Sequence, residues 1–199
     1  MQDFTQFTGA ETIVALGAIR TTDTGPALVL NGGLVASPHV FRLPADDLRA
    51  LSALNFTYWS NVPPSERPRV ARLVNDGYAA VLTASTLMAL VPVIRVGVSV
   101  DAQTEGGYRI SFDAHSERQT LEIDTWQASL LKRMGAPVPI AELIGEVVRE
   151  VESDAEEAAA ARAEEETSGE SLQMFLLKTA ISFFGALKAG GALTIEPGE

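Results

Sequence analysis

The run from Gly106 to Met134 restricts the fold more than any other part of the chain. Polar and apolar residues alternate through GYRISFDAH, the polar residues SER follow, and alternation resumes in QTLEI. Alternation with a period of two is typical of half-buried strands. At Asp124 the apolar spacing becomes helical, and Asp124 and Gln127 have the spacing of a capping box. The run therefore predicts two strands joined by a turn and followed by a helix.

The N-terminal part of the chain also contains both strands and helices. Strands are predicted in ETIVALGAIR, PALVLN and SPHVFRL, because turn signals at TDTG and NGG separate them. Helices are predicted in ADDLRALSAL and in ERPRVARLVND, the second with Ser65 as its N-cap. The apolar stretch YAAVLTASTLMAL fits a helix or a strand, and of the two we predict the helix. These elements predict an N-terminal α+β lobe over residues 1–91.

Residues 92–199 are predicted to form a second domain. VPVIRVGVSVD pairs with GYRISFDAH as a hairpin, and QTLEI adds a third strand. Three helices follow, in TWQASLLKRM, in PIAELIGEVVREV and from Ser171 to Ala189, before a short terminal strand in ALTIE. Residues 150–170, with nine acidic residues and one basic residue, are rich in Ala and Glu and predict an acidic helical insertion that prolongs the second helix. Strands precede helices in both parts, which leaves an internal duplication open.

Composition excludes several chemistries. The 199-residue chain has no cysteine, which excludes disulfides, zinc thiolate sites and cysteine nucleophiles and favours a reducing cytoplasm. Its two histidines, His39 and His115, are isolated, and no Gly-x-Ser-x-Gly motif occurs. No apolar stretch reaches the roughly 20 uninterrupted residues of a spanning helix. We therefore predict a cytoplasmic protein with no enzymatic activity, no catalytic residue, no metal, no cofactor and no membrane contact.

The net charge of −11 is concentrated in one segment. Residues 150–170 contribute −8 of it, since they hold nine acidic residues and one basic residue. This balance opposes binding to nucleic acid. The acidic segment either solvates the chain or attracts a basic peptide or partner surface.

The C-terminal half resembles a known family of winged-helix domains. YRISFDAHSERQTLEID, TWQASLLKRMGAPVPIAELIGEVV and ESLQMFLLKTAISFFGALKAGGALTIEP are similar to PqqD-like domains, which recognise the leader peptides of ribosomally made natural products. The resemblance implies an α+β fold, with a winged-helix-like domain of a three-stranded antiparallel sheet plus three helices beside the N-terminal lobe. The acidic segment departs from the family, because it is longer than the usual connection between the second and third helices.

The resemblance also implies a binding site. In that family the leader adds as a strand beside the third strand and packs against the last helix. The last helix here has a predicted core stripe of Leu172, Phe175, Leu176, Phe183, Phe184 and Leu187. A second stripe (Met174, Leu177, Ile181) either lies under the N-terminal lobe or lines a peptide groove. The implied peptide-binding residues are Gln119, Thr120, Leu121, Glu122, Ile123, Met174, Leu177, Lys178 and Ile181.

The implied function is that of a non-catalytic accessory protein that binds a precursor or leader peptide and presents it to a peptide-modifying enzyme. Two alternatives stay open: a structural or assembly protein without a peptide ligand, and a winged-helix transcription regulator. A DNA reader needs basic residues on its recognition helix. PIAELIGEVVREV has one Arg and three Glu, which disfavours the regulator.

Overall fold

The computed structural model describes residues 4, 7–30, 38–114 and 117–198 of the chain. Within these residues the chain is mixed α+β, with seven α-helices and four small sheets of two or three strands. The chain divides into two compact units. Unit 1 comprises Met1–Val93 and Thr194–Glu199, and unit 2 comprises Ile94–Leu193. His115 lies outside the described residues.

The described residues of unit 1 form short strands, three α-helices and a 3-10 turn at Trp59–Asn61. In chain order the strands and α-helices are β1 (Thr12–Ala15), β2 (Ala18–Thr22), β3 (Gly25–Leu30), β4 (His39–Phe41), α1 (Ala45–Ala53), β5 (Thr57–Tyr58), α2 (Arg67–Asn75), β6 (Ala79–Val81), α3 (Ala84–Leu87) and β7 (Leu90–Ile94). One sheet has the order β5-β1-β6 and another has the order β2-β3-β4. β7 pairs with the last strand of the chain, β11 (Leu193–Pro197).

The predicted strand in ETIVALGAIR is two strands in two different sheets. The chain turns between them at Gly17, whose φ is +67°. A Cβ at this position would overlap the carbonyl oxygen of Val29, so glycine is required by space as well as by conformation. The buried residues of β1, β3, α1 and α2 then form one apolar core, which includes Ile13, Leu28, Leu51 and Leu73.

Two local predictions for unit 1 are wrong. YAAVLTASTLMAL is not one helix, because it contains β6, the four-residue α3 and the start of β7. Thr83 and Thr86 form a reciprocal capping box that begins α3, and β6 pairs with β1, which lies more than 60 residues away in sequence. Ser65 does not cap α2; the N-cap position belongs to Glu66, which makes no side-chain capping hydrogen bond.

Unit 2 is a three-stranded antiparallel sheet followed by helices. Its elements are β8 (Val98–Thr104), β9 (Gly107–Ala114), β10 (Glu117–Asp124), α4 (Thr125–Arg133), α5 (Ile140–Ser153), α6 (Ala155–Ser168) and α7 (Leu172–Ala189). The strand order is β10-β9-β8. The predicted capping box at the start of α4 is confirmed, because Gln127 N donates to Asp124 Oδ1 at 2.7 Å and Asp124 N donates to Gln127 Oε1 at 3.1 Å.

The acidic segment forms its own helix and does not prolong α5. α5 ends at Ser153, and Asp154 has extended backbone dihedral angles. The Asp154 carboxylate accepts hydrogen bonds from the backbone N–H groups of Glu156 and Glu157, which caps α6. Four helices therefore follow the sheet in the described part of unit 2, where the sequence predicted three.

The last helix, α7, is the most apolar helix of the chain. The side chains on one face of α7 are buried in unit 2, namely those of Leu176, Ala180, Phe183, Phe184 and Leu187. Phe175 was predicted to belong to this core face, which is wrong because its side chain is 44% exposed. By length and composition alone, α7 is long and apolar enough to cross a membrane. Only 28% of this stretch is buried, and a helix of this kind taken singly is weak evidence for a membrane span.

The same order of elements occurs twice. In each unit three consecutive strands pair in chain order to form a sheet, β2-β3-β4 in one and β8-β9-β10 in the other. A helix follows the third strand, α1 in the first case and α4 in the second. The strand that precedes each of these sheets pairs with a strand that follows the helices, β1 with β6 and β7 with β11. This repeated order supports the internal duplication that the sequence left open.

Candidate functional site

β10 is an edge strand of the sheet in unit 2. It pairs with β9 in continuous register from Glu117↔Ala114 to Asp124↔Gly107. Within the described residues its backbone forms no hydrogen bond with any other strand or loop. Since backbone groups of an edge strand point alternately towards and away from the sheet, every second residue of β10 leaves an N–H and a C=O for a further strand.

The two edges of this sheet differ in how well they can accept a strand. β8, at the opposite edge, has a break in register between Val100 and Ala102, which leaves Asp101 without a partner on β9. Such a bulge twists an edge and disrupts a continuous hydrogen-bonding row. β10 has no bulge and no proline over eight residues. Of the two edges, β10 is therefore the one suited to strand addition.

The side chains of β10 alternate between two faces. Ile123 is buried and Leu121 and Gln119 are half-buried, so these three point to the apolar face of the sheet. Thr120 and Glu122 are exposed on the opposite face, where Arg109 donates to Glu122 at 2.9 Å. Neighbouring strands lie about 4.8 Å apart, so the side chains of an added strand would contact the β10 side chains on both faces of the sheet.

The polar face of the sheet carries a hydrogen-bonded cluster around Asp101. Its carboxylate accepts hydrogen bonds from Ser111 at 3.0 Å and Ser99 at 3.1 Å, and Arg118 approaches it at 3.2 Å. The hydrogen bond from Ser111, then that from Ser99 and the charge of Arg118, hold the pKa of Asp101 below its usual value. The cluster joins the three strands side by side and stabilises the bulge of β8.

Replacing Asp101 by Asn is expected to lower stability in a pH-dependent way. Because the folded-state pKa is depressed, the ionised carboxylate stabilises the fold above the unfolded value of about 3.9, and this contribution is lost as pH falls through the folded-state pKa. Thermal unfolding at pH 7 should show a lower melting temperature for D101N than for the wild type. The difference should shrink below about pH 4.

The matched control for this prediction is Asp113→Asn. Asp113 is an exposed carboxylate on β9 of the same sheet, and its replacement removes the same charge. The melting temperature of this variant should remain close to that of the wild type at both pH values. A D101N deficit that stays constant between pH 7 and pH 3 would contradict the role assigned to the ionised carboxylate.

The predicted binding residues of the last helix have unequal exposure. Met174 is 47% exposed, whereas Leu177 and Ile181 are half-buried. Lys178 forms an ion pair with Glu170, with 2.6 Å between Nζ and Oε1. Phe175, which the sequence analysis assigned to the core, lies exposed beside Met174. The exposed apolar surface of α7 is therefore at its N-terminal end.

β10 and α7 have α4 as their common neighbour. The main packing partners of α7 are α4, α5 and α6, whereas β10 packs on β9 and α4. Both halves of the predicted site are therefore next to α4.

Unit 1 contains a cleft that the sequence analysis missed. It has a volume of about 300 Å³ and lies between α1 and α2. Half of its lining residues are apolar, namely Ala50, Ala53, Leu54, Val62, Pro63 and Val70. The other half are polar or charged, namely Asp46, Arg49, Thr57, Asn61, Glu66 and Arg69. In the sequence, the only indication of this cleft is the pair of small side chains, Ala50 and Ala53, on one face of α1. Small side chains leave space against a neighbouring helix.

A buried carboxylate also lies between α1 and α2. Asp47 is 3% exposed and accepts a hydrogen bond from Arg72 at 2.6 Å, with Arg69 at 3.5 Å. The hydrogen bond that Arg72 donates to Asp47 raises the pKa of Arg72. Within the described residues, Asp47 Oδ2 has no hydrogen-bond partner. Asp47 therefore ties α1 to α2, in addition to its favourable position in the first turn of α1.

Among the described residues, no group of three or more His, Asp or Glu side chains is placed to hold a metal ion. His39 is exposed on β4, with its ring centroid 6.3 Å from that of Phe41.

The chain matches no protein-family model, no curated protein and no solved structure.

Proposed function

We propose that the protein is a non-catalytic accessory protein that binds a precursor peptide through a winged-helix-like unit 2 and presents it to a peptide-modifying enzyme. The observation that carries this proposal is the unbroken eight-residue edge of β10. In this mode an extended peptide adds to the sheet as a fourth strand. Backbone hydrogen bonds supply affinity, and side-chain contacts on both faces supply specificity.

The composition of β10 suits a peptide with alternating apolar and polar side chains. Leu121 and Ile123 lie at the edge of the apolar face, so the peptide residues beside them are expected to be apolar. On the opposite face Arg118 and Glu122 are exposed, and each forms an ion pair within the sheet, Arg118 with Asp101 and Glu122 with Arg109. The proposed pairing segment is therefore Gln119–Ile123. Met174, Leu177, Lys178 and Ile181 are the α7 side chains proposed to contact the same peptide.

A DNA-binding role is less well supported by the helices of unit 2. α5 follows α4 in the position of a recognition helix and carries Glu142, Glu146 and Glu150. Arg133 of α4 is held in ion pairs with Glu146 at 3.4 Å and Glu150 at 2.7 Å. These pairs neutralise a basic residue that a phosphate backbone would otherwise contact.

Amide hydrogen exchange tests the proposal with a peptide selected from a display library of random linear peptides. Strand addition should slow exchange of alternate amides within Glu117–Asp124 by about tenfold or more, which corresponds to about 1.4 kcal/mol. The amides between those positions already pair with β9 and should change less. Exchange in β8, whose edge is bulged, serves as the internal control.

Two results would count against the proposal. One is a selection that enriches no peptide above the background of the library. The other is a bound peptide that protects amides of α1 and α2 and leaves β10 unchanged, which would place binding in the cleft of unit 1. With the second result, the protein would still be a peptide binder, but binding by strand addition to β10 would be rejected.

A further inference from the structure

The turn between α6 and α7 brings two exposed apolar side chains together with the acidic end of α6. Met174 and Phe175 are 47% and 44% exposed in the first turns of α7. They are neighbours in sequence, and the first turn is held by Ser171, whose Oγ accepts from Met174 N at 3.3 Å. Two large apolar side chains on a capped helix form a preformed anchor surface.

The carboxylate of Glu165 contacts the first turn of α7, which carries this surface. Glu165 Oε1 accepts a hydrogen bond from the backbone N–H of Leu172 at 2.5 Å. Gly169, with φ +69°, ends α6 in the left-handed conformation and lets the chain turn directly into α7. Glu166 is exposed beside Glu165 on the last turns of α6. We call Glu165, Glu166, Met174 and Phe175 the α6–α7 corner.

Of the two carboxylates, Glu165 accepts a hydrogen bond at the N-terminal end of α7, whereas Glu166 is exposed near the C-terminal end of α6. Acidic side chains are unfavourable near the C-terminal end of a helix, where the helix dipole is negative. The last turn of α6 has no basic residue to offset them. A cationic partner would relieve this repulsion, whereas an anionic phospholipid surface would increase it.

We propose that the α6–α7 corner docks a cationic amphipathic segment of a partner protein. Apolar side chains of that segment would cover Met174 and Phe175, and its Lys or Arg residues would lie against Glu165 and Glu166. The corner is formed by α6 and α7. It shares Met174 with the peptide site proposed above, but none of its residues lies on β10, whose open edge carries that proposal. The inference therefore does not rest on the proposed peptide binding.

The test uses a synthetic helical peptide with leucines on one face and lysines on the other, titrated into the full chain by calorimetry. The double variant Glu165→Gln and Glu166→Gln removes two charges from the corner. The amide introduced in place of the Glu165 carboxylate keeps a side-chain oxygen that can accept from Leu172 N. The matched control, Glu156→Gln and Glu157→Gln, removes the same charge at the other end of α6.

We expect the corner variant to raise the dissociation constant about tenfold and the control variant to raise it less than about twofold. The variant Met174→Ser and Phe175→Ser should also weaken binding about tenfold or more, because it removes the apolar anchors. A peptide with glutamates in place of the lysines should not bind.

Three outcomes would overturn the inference. Equal weakening by the two charge variants would show attraction to the acidic helix as a whole. Unchanged binding to M174S/F175S would show that the apolar side chains are not contacts, provided that circular dichroism shows an intact fold. Absence of binding by the cationic peptide, or binding of the protein to phosphatidylglycerol vesicles in its place, would exclude the proposed partner chemistry.

Discussion

Phe184→Ala is expected to lower the free energy of unfolding of unit 2 by about 3–5 kcal/mol, while Phe175→Ala on the same helix lowers it by less than about 1 kcal/mol. Phe184 is fully buried in α7, with the ring of Phe183 at 6.1 Å between centroids. Phe175 is 44% exposed. Truncation of Phe184 removes buried surface and leaves a cavity, whereas truncation of Phe175 removes a side chain that water already contacts.

Urea titration followed by far-ultraviolet circular dichroism measures both variants against the wild type. The two substitutions are chemically identical and lie on one helix, so helix propensity changes alike in both. The difference between them therefore reports burial. Similar losses in the two variants would mean that Phe175 is covered in solution, and the α6–α7 corner would then lack its apolar anchor.

Gly107→Ala is expected to cost about 3 kcal/mol, and the adjacent Gly106→Ala less than about 1 kcal/mol of either sign. A Cβ at Gly107 would overlap the carbonyl oxygen of Ile123 and lie 2.9 Å from Asp124 Cα. Both of these are backbone atoms of β10, which cannot rotate away as a side chain would. A Cβ at Gly106 meets no heavy atom within 4 Å.

The Gly107 substitution should also affect the edge of the sheet. Gly107 pairs with Asp124, where β10 ends and α4 is capped. Displacing Asp124 is expected to weaken the capping box and to loosen the last residues of β10. Thermal unfolding measures the loss of stability, and amide exchange at Ile123 and Gln127 locates it. A G107A variant with wild-type stability and exchange would contradict the close approach of β9 and β10.

Local signals were sufficient for much of unit 2. The capping box at Asp124 and Gln127 requires only residues three apart, and its prediction is confirmed. In α5 the helical spacing of Ile140, Leu143, Ile144, Val147, Val148 and Val151 marks an apolar stripe, and all of these except the half-buried Val148 are buried. Patterns of this kind are predictable because the interaction and the residues that make it lie within one or two turns of the chain.

Prediction failed where the decisive partner is distant in sequence. Ala79–Val81 is a strand because β1 provides hydrogen bonds from residues 13–15, which no local pattern indicates. Phe175 and Phe184 are alike in sequence context, and only the packing of α4 and α5 on α7 decides that one is exposed and the other is covered. The cleft of unit 1 also needs two helices to come together before it exists.

By itself the sequence determined an α+β chain, the capped start of α4, the apolar character of α7 and the concentration of negative charge before it. These properties follow from residue type and short-range spacing. The tertiary structure decided that β10 lies at an unbroken edge, that Asp47 is buried against Arg72, and that the carboxylate of Glu165 contacts the first turn of α7. The physical reason is that edge position, burial and the proximity of charges depend on which distant segments pack together.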